Sequence, residues 1–117
     1  MKTRTQLIKE YDQIIPTAGV FQILNKQSGK VLIDNSTDVN AKWNRHQFEL
    51  KLGSHRNKAL QADWKAAGED NFEYTLLSVF DTDDDGFSES GLDIREALNL
   101  MAEKVIEDLD IRKDKRY

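Results

Sequence analysis

The sequence has no cysteine. Disulfides, thiolate metal sites and cysteine nucleophiles are therefore excluded. No stretch approaches the ~18 consecutive apolar residues that a membrane span needs. The opening residues, Met1 to Gln6, carry charge but lead into no apolar run that would serve as a signal peptide. A cytoplasmic protein with no membrane association is the expectation. A Gly-rich phosphate loop, a His-Glu-x-x-His pair and a nucleophile elbow are all missing, which removes the commonest phosphate-loop, zinc-protease and serine-hydrolase readings.

What is present suits one small domain. The 117 residues are enough to fold without staples, and 38% hydrophobic with 32% charged residues describe a modest core under a heavily charged surface. Net charge is −4 but unevenly spread. Between Lys42 and Lys58 five basic residues face one acidic residue, Glu49, for a net of +4. Between Glu69 and Glu96 ten acidic residues face Arg95 alone, for a net of −9. Local field matters more than net charge for the choice of partner, so the two stretches predict a polarised molecule.

Periodicity supplies the elements. Thr3-x-x-Gln6 reads as a capping box before Leu7, Ile8, Tyr11, Ile14 and Ile15 at helical spacing, and Pro16 ends that helix, predicted over 3–15. Residues 19–24 and 30–34 read as strands joined by a Gln27-Ser28-Gly29 turn. The segment from Ser36 to Asp38 then caps a helix whose inner stripe is Val39, Trp43, His46 and Leu50, and Gly53 ends it. A shorter helix carries Leu60 and Trp64 and stops at Gly68, and residues 72–80 form a third strand. After an acidic loop over 81–92, Asp93-x-x-Glu96 caps a last helix, predicted over 93–110 and striped by Ile94, Ala97, Leu98, Met101, Val105 and Leu109. The charged tail from Arg112 is expected to be loose. The predicted fold is α+β, a small three-stranded antiparallel sheet flanked by helices in the order α-β-β-α-α-β-α, with the core over 18–80.

Several motifs fall in order on these elements. Gly19-Val20-Phe21 lies on the first strand and Leu32-Ile33-Asp34 on the second. Lys42-Trp43-x-Arg45-His46 follows on the helix, then Gly53-Ser54-His55-x-Asn57-x-x-Leu60-Gln61-x-Asp63-Trp64, then Phe72-Glu73. The set resembles the GIY-YIG nuclease family, in particular its phage homing-endonuclease-type domains, from about Ala18 to Val79. That resemblance implies metal-dependent hydrolysis of a phosphodiester, in which a polar group readies water, a cation balances transition-state charge and a carboxylate holds a divalent metal. The family places one tyrosine in each tripeptide, an arginine and a histidine on the helix, a glutamate on the last helix and an asparagine after a tyrosine near the end.

The sequence departs at most of these positions, so no catalytic set is intact. Phe21 and Leu32 stand where the tyrosines belong, and Asp34 replaces a glycine. Lys42 keeps the charge of the arginine and loses its planar fork. The frame that aligns Ile106 and Leu109 puts Ala102 at the glutamate position, with Glu103 and Glu96 as the nearest candidate metal ligands. The family's asparagine has no expected counterpart after Tyr117. His46 and His55 persist. Losing several members of one catalytic constellation leaves little beyond binding.

The resulting expectation is an inactive nucleic-acid-binding protein that needs no cofactor. It would contact DNA or RNA through Lys42, Arg45, His55, Arg56, Asn57 and Lys58, by counterion release. One alternative is a divergent endonuclease that uses Mg2+ or Mn2+. Another is a protein-interaction module using the acidic loop. Asp81, Asp83 and Asp85 before Gly86 have the spacing of a calcium loop, but Leu92 stands where the bidentate glutamate should be. The segment reads as a solvated acidic loop in which those three residues could hold a cation weakly. His46, on the inner stripe, also has a plain structural reading as a hydrogen-bonded core histidine.

Overall fold

A computed structural model describes residues 17–80, 91 and 93–117. The predicted helix over 3–15 and the acidic loop, with Asp81, Asp83 and Asp85, lie outside them apart from Gly91.

The elements are β1 (Gly19–Asn25), β2 (Val31–Ser36), α1 (Val39–Leu52), α2 (Lys58–Ala67), β3 (Phe72–Val79) and α3 (Ile94–Asp108). The strands form one antiparallel sheet in the order β2-β1-β3. The central strand therefore belongs to the first motif, and it is the most buried of the three. Phe21 lies opposite Asp34 on one side and Leu76 on the other. At the head of β1 the backbones of β1 and β3 approach so closely that a Cβ on Gly19 would collide with the carbonyl oxygen of Ser78. This is the physical need for glycine at that position, next to an irregularity in register between Val20 and Phe21.

The pleat sends alternate residues to opposite faces. Phe21 and Ile23 point to the face covered by α1 and α2, where they join Val39, Leu50, Leu60, Trp64 and Phe72 in the main core. Burying a side chain of this kind stabilises by roughly 1.5–3 kcal/mol. Val20 and Val31 point the other way, to the face on which Leu98 and Ala102 of α3 are buried.

Local signals set the helix boundaries. Asp38 Oδ1 accepts from Ala41 N, Asn57 Oδ1 from Leu60 N and Asp93 Oδ1 from Glu96 N, so each helix begins at a side-chain cap. Gly53, at φ 79°, closes α1 in the left-handed conformation that glycine takes without strain.

Two expectations change. The last helix ends at Asp108, and Leu109, expected on its buried stripe, is 51% exposed because Asp110 turns the chain through φ 50°. The tail is docked, not loose. Residues 113–115 form a 3-10 turn, Arg116 bridges Val31, and Tyr117 N donates to Val31 O at 3.0 Å. The Tyr117 hydroxyl donates to Asp63 Oδ2 at 2.6 Å and accepts from Asn25 Nδ2 at 2.9 Å. A run of charge signals exposure on average. It says nothing about one aromatic residue with buried polar partners waiting for it.

Candidate functional site

The residues singled out from the motifs converge at the head of β1, under α1. Phe21 is fully buried, with its ring edge-on to His46 at 5.9 Å and tilted against Tyr74 at 5.4 Å. Leu32 is half-buried against the same core. The face that would carry phenolic oxygens at these two positions is packed as apolar core.

The polar groups form a chain. His46 Nε2 lies 2.8 Å from Asp34 Oδ2, and His46 Nδ1 lies 2.7 Å from His55 Nε2. Asn57 N donates to His55 Nδ1 at 3.0 Å. These bonds assign every proton. Since His55 Nδ1 accepts, the neutral ring carries its proton on Nε2 and donates to His46 Nδ1. His46 then carries its own on Nε2 and donates to Asp34. No ring nitrogen keeps a free lone pair for a water, and a proton added to either ring must break a link.

Position along the fold explains the chain. His46 is on the inner stripe of α1, which brings it over Asp34 on β2. His55 is held in the α1–α2 turn, where His55 N donates to Gln61 Oε1 and Gln61 Nε2 donates to Leu50 O. His55 is only 3% exposed, so its ring is directed inward from the loop. Burial, then the adjacent His46, push its pKa below the ordinary histidine value. Burial opposes ionisation of Asp34, but the His46 hydrogen bond, the Asn35 N–H and the Lys42 charge outweigh it, and the carboxyl sits below its ordinary range. Lys42 Nζ stands 3.7 Å from Asp34 Oδ2.

Lys42, Arg45 and Arg56 line one crevice with both histidines and Glu49. Its volume is about 30 Å³, space for a water or two. Of the expected nucleic-acid contacts, Asn57 is occupied in capping α2 and in holding His55, and Lys58 is exposed on the first turn of α2, outside the crevice. Arg45 pairs with Glu49 at 2.9 Å.

The metal candidates do not join this site. Ala102 is buried under the sheet, while Glu96 and Glu103 are exposed and line neither the crevice nor the neighbouring cleft beside α3. Among the described residues no three histidine or carboxylate groups are arranged to hold a metal. The donors among the described residues do not fit the divalent ion that the resemblance implies.

The motif comparison missed Asp34 as a participant and saw it only as a lost glycine. The available signal was its face: two residues beyond Leu32, it points the same way as Phe21, towards a histidine on the inner stripe of the following helix. Tyr74 was missed too. It stacks on Trp43 at 5.4 Å, and burial raises its pKa, so its phenol holds its proton more tightly than usual.

No family model matches the chain, and no curated protein does. Two solved structures do. A mutant form of the catalytic domain of intron endonuclease I-TevI superposes with a TM-score of 0.67 at 24% identity, covering 86% of this chain and 91% of that one. The structure of the catalytic domain of homing endonuclease I-TevI gives 0.66 at 23% identity, covering 86% and 95%. The fold is GIY-YIG-like. The three-stranded antiparallel sheet and the helix and strand order of a GIY-YIG-like domain are thus in place. No helix among the described residues is long and apolar enough to cross a membrane.

Proposed function

We propose that this GIY-YIG-like domain binds DNA or RNA without cleaving it by the family's mechanism. The observation that carries the reading is the closed chain from Asn57 through His55 and His46 to Asp34. Each ring nitrogen is consumed inside the protein, so no histidine serves as general base. The tyrosine positions are apolar, and the last helix brings no carboxylate to Lys42.

Binding needs less. Arg56 and Lys58 are exposed and make no ion pair among the described residues, and Lys42 and Arg45 share the crevice with Arg56, with one acidic partner each. Such a patch neutralises a few phosphates, with affinity that falls as roughly the 0.9 power of salt per contact.

Anisotropy of a labelled duplex and a labelled single strand tests the reading. Binding at low salt that weakens steeply between 50 and 200 mM salt, on the order of tenfold or more, is expected. Absence of binding at low salt removes the proposal. Nicking of a plasmid with Mg2+ or Mn2+ that is lost in both Lys42→Ala and His46→Ala replaces it with the endonuclease reading.

A further inference from the structure

Lys42 lines a second and larger hollow on its other side. Between the end of β2 and the first turns of α3 lies a cleft of about 280 Å³, bounded by Asn35, Ser36, Thr37, Lys42, Arg95 and Asn99 over a floor of Leu98. Among the described residues no carboxylate lines it. Two cations, Lys42 and Arg95, therefore face one hollow in a chain of net charge −4.

The groups around it have donors to spare. Arg95 makes no hydrogen bond or ion pair among the described residues, although acidic neighbours are close in sequence: Asp93 turns back to cap α3. Lys42 is held to Asp34 by one long contact of 3.7 Å, which leaves other ammonium protons free. Asn35 Nδ2 donates to Asn99 Oδ1 at 3.2 Å, which fixes the orientation of the Asn99 amide and leaves its NH2 without a partner among the described residues. The Thr37 hydroxyl is likewise unused among the described residues. A guanidinium, an ammonium, an amide NH2 and a hydroxyl around one opening suit a doubly shared oxyanion, and phosphate oxygens fit this set best.

We propose that this cleft is a phosphate subsite, which takes one phosphate of a nucleic-acid strand between Lys42 and Arg95, with the Asn99 amide and Thr37 hydroxyl as neutral donors. The inference relies on the nucleic-acid reading for the identity of its ligand. It adds a contact on α3, outside the basic 42–58 segment, and carries the strand from the α1–α2 surface round the edge of β2. Lys42, shared by the crevice and the cleft, is the hinge of that path.

The side-chain amide signals of Asn35 and Asn99 report on the cleft directly. They are followed by nuclear magnetic resonance while the full chain is titrated with adenosine 5′-monophosphate and, separately, with a 12-nucleotide single strand. Both ligands are expected to move the two signals, the strand at lower concentration. Arg95→Glu, at an exposed helical position whose new charge suits the N-terminal turn, is expected to abolish both shifts. It should also weaken strand binding about fivefold and lower the slope of log affinity against log salt by about one. Arg95→Lys should retain most of the effect. Should neither ligand move these signals, or should Arg95→Glu bind the strand as wild type does, the subsite is overturned even if the strand still binds at Arg45 and Arg56. If the mononucleotide moves the signals and no strand binds at low salt, the cleft holds phosphate, and both its assignment to a strand and the nucleic-acid reading fall.

Discussion

The sheet face beneath α1 and α2 carries a polar network at each end, and the two are built from opposite materials. At the head of β1, a carboxylate and two imidazoles, Asp34, His46 and His55, form a hydrogen-bonded relay beside cations and a small crevice. At the foot, Asn25 is 3% exposed and accepts from Gln27 N, Ser28 N and Asn71 Nδ2, while its own NH2 reaches the Tyr117 hydroxyl and Asp63. Burial first, then the Asp63 hydrogen bond, push Tyr117 up to about 12. The foot is a clamp built round two amides and a phenol whose pKa is raised, and the head is a chain that must break if it gains a proton. Fixed hydrogen bonds hold the hairpin turn, the tail and α2 together. The protonatable chain sits where the motif residues gather.

The comparison breaks most readily at the clamp. Asn25→Leu should cost about 3 kcal/mol, because it strands two backbone donors and several side-chain partners in a buried site. The melting temperature should fall by more than ~10 °C, and a smaller drop than Asp34→Ala produces would show that the clamp is not the stronger end. Asp34→Ala leaves the His46 Nε2 proton without its acceptor and should cost about 1–2 kcal/mol by urea unfolding.

The two ends should also fail at opposite extremes of pH. His55 has a lowered pKa, so the unfolded chain takes its proton first as pH falls through ~6.5, and stability declines from there towards the folded value. Asp34, also lowered, adds a second loss as pH falls through and below its ordinary value of 3.8. His55→Gln should flatten the first limb of a stability-against-pH curve, and an unchanged limb would remove His55 as its source. Tyr117 is raised, so its contribution is complete below pH 10 and lost as pH rises from there towards about 12. Tyr117→Phe should flatten that alkaline limb.

The smallest effect belongs to Arg45→Ala. Its pair with Glu49 is exposed and should contribute under ~0.5 kcal/mol to stability, while strand binding falls about threefold. A large loss of stability with unchanged binding would reverse the roles assigned to this residue.

Much of the site was legible in the order of the motifs. Phe21, Leu32, Lys42, His46 and His55 match the family's site positions in the motif order; the structure puts Phe21, Lys42, His46 and His55 near the head of β1 and Leu32 further along, opposite Ile23. Arg45 and Arg56 join the crevice as a cationic pair on the α1–α2 side, while Lys58 remains outside it. Asp34 was visible only as a substitution, because its value depends on strand register and on which helix face lies above it. Arg95 was counted as one positive charge in an acidic stretch, and nothing local to it announces a cleft shared with Lys42.

Short-range pattern is enough for the elements of residues 17–80 and the start of α3, because caps, turns and period are decided within a few residues of one another. Val39, Leu50, Leu60 and Trp64 were assigned to a core by spacing alone, and they are in it. Which carboxylate meets His46, which cation stands across from Lys42 and how Tyr117 closes the far end follow from the packing of distant segments. Those pairings span 12, 53 and 92 positions of chain. They depend on the register of β1 against β2 and on the seating of α3, and no local preference encodes either.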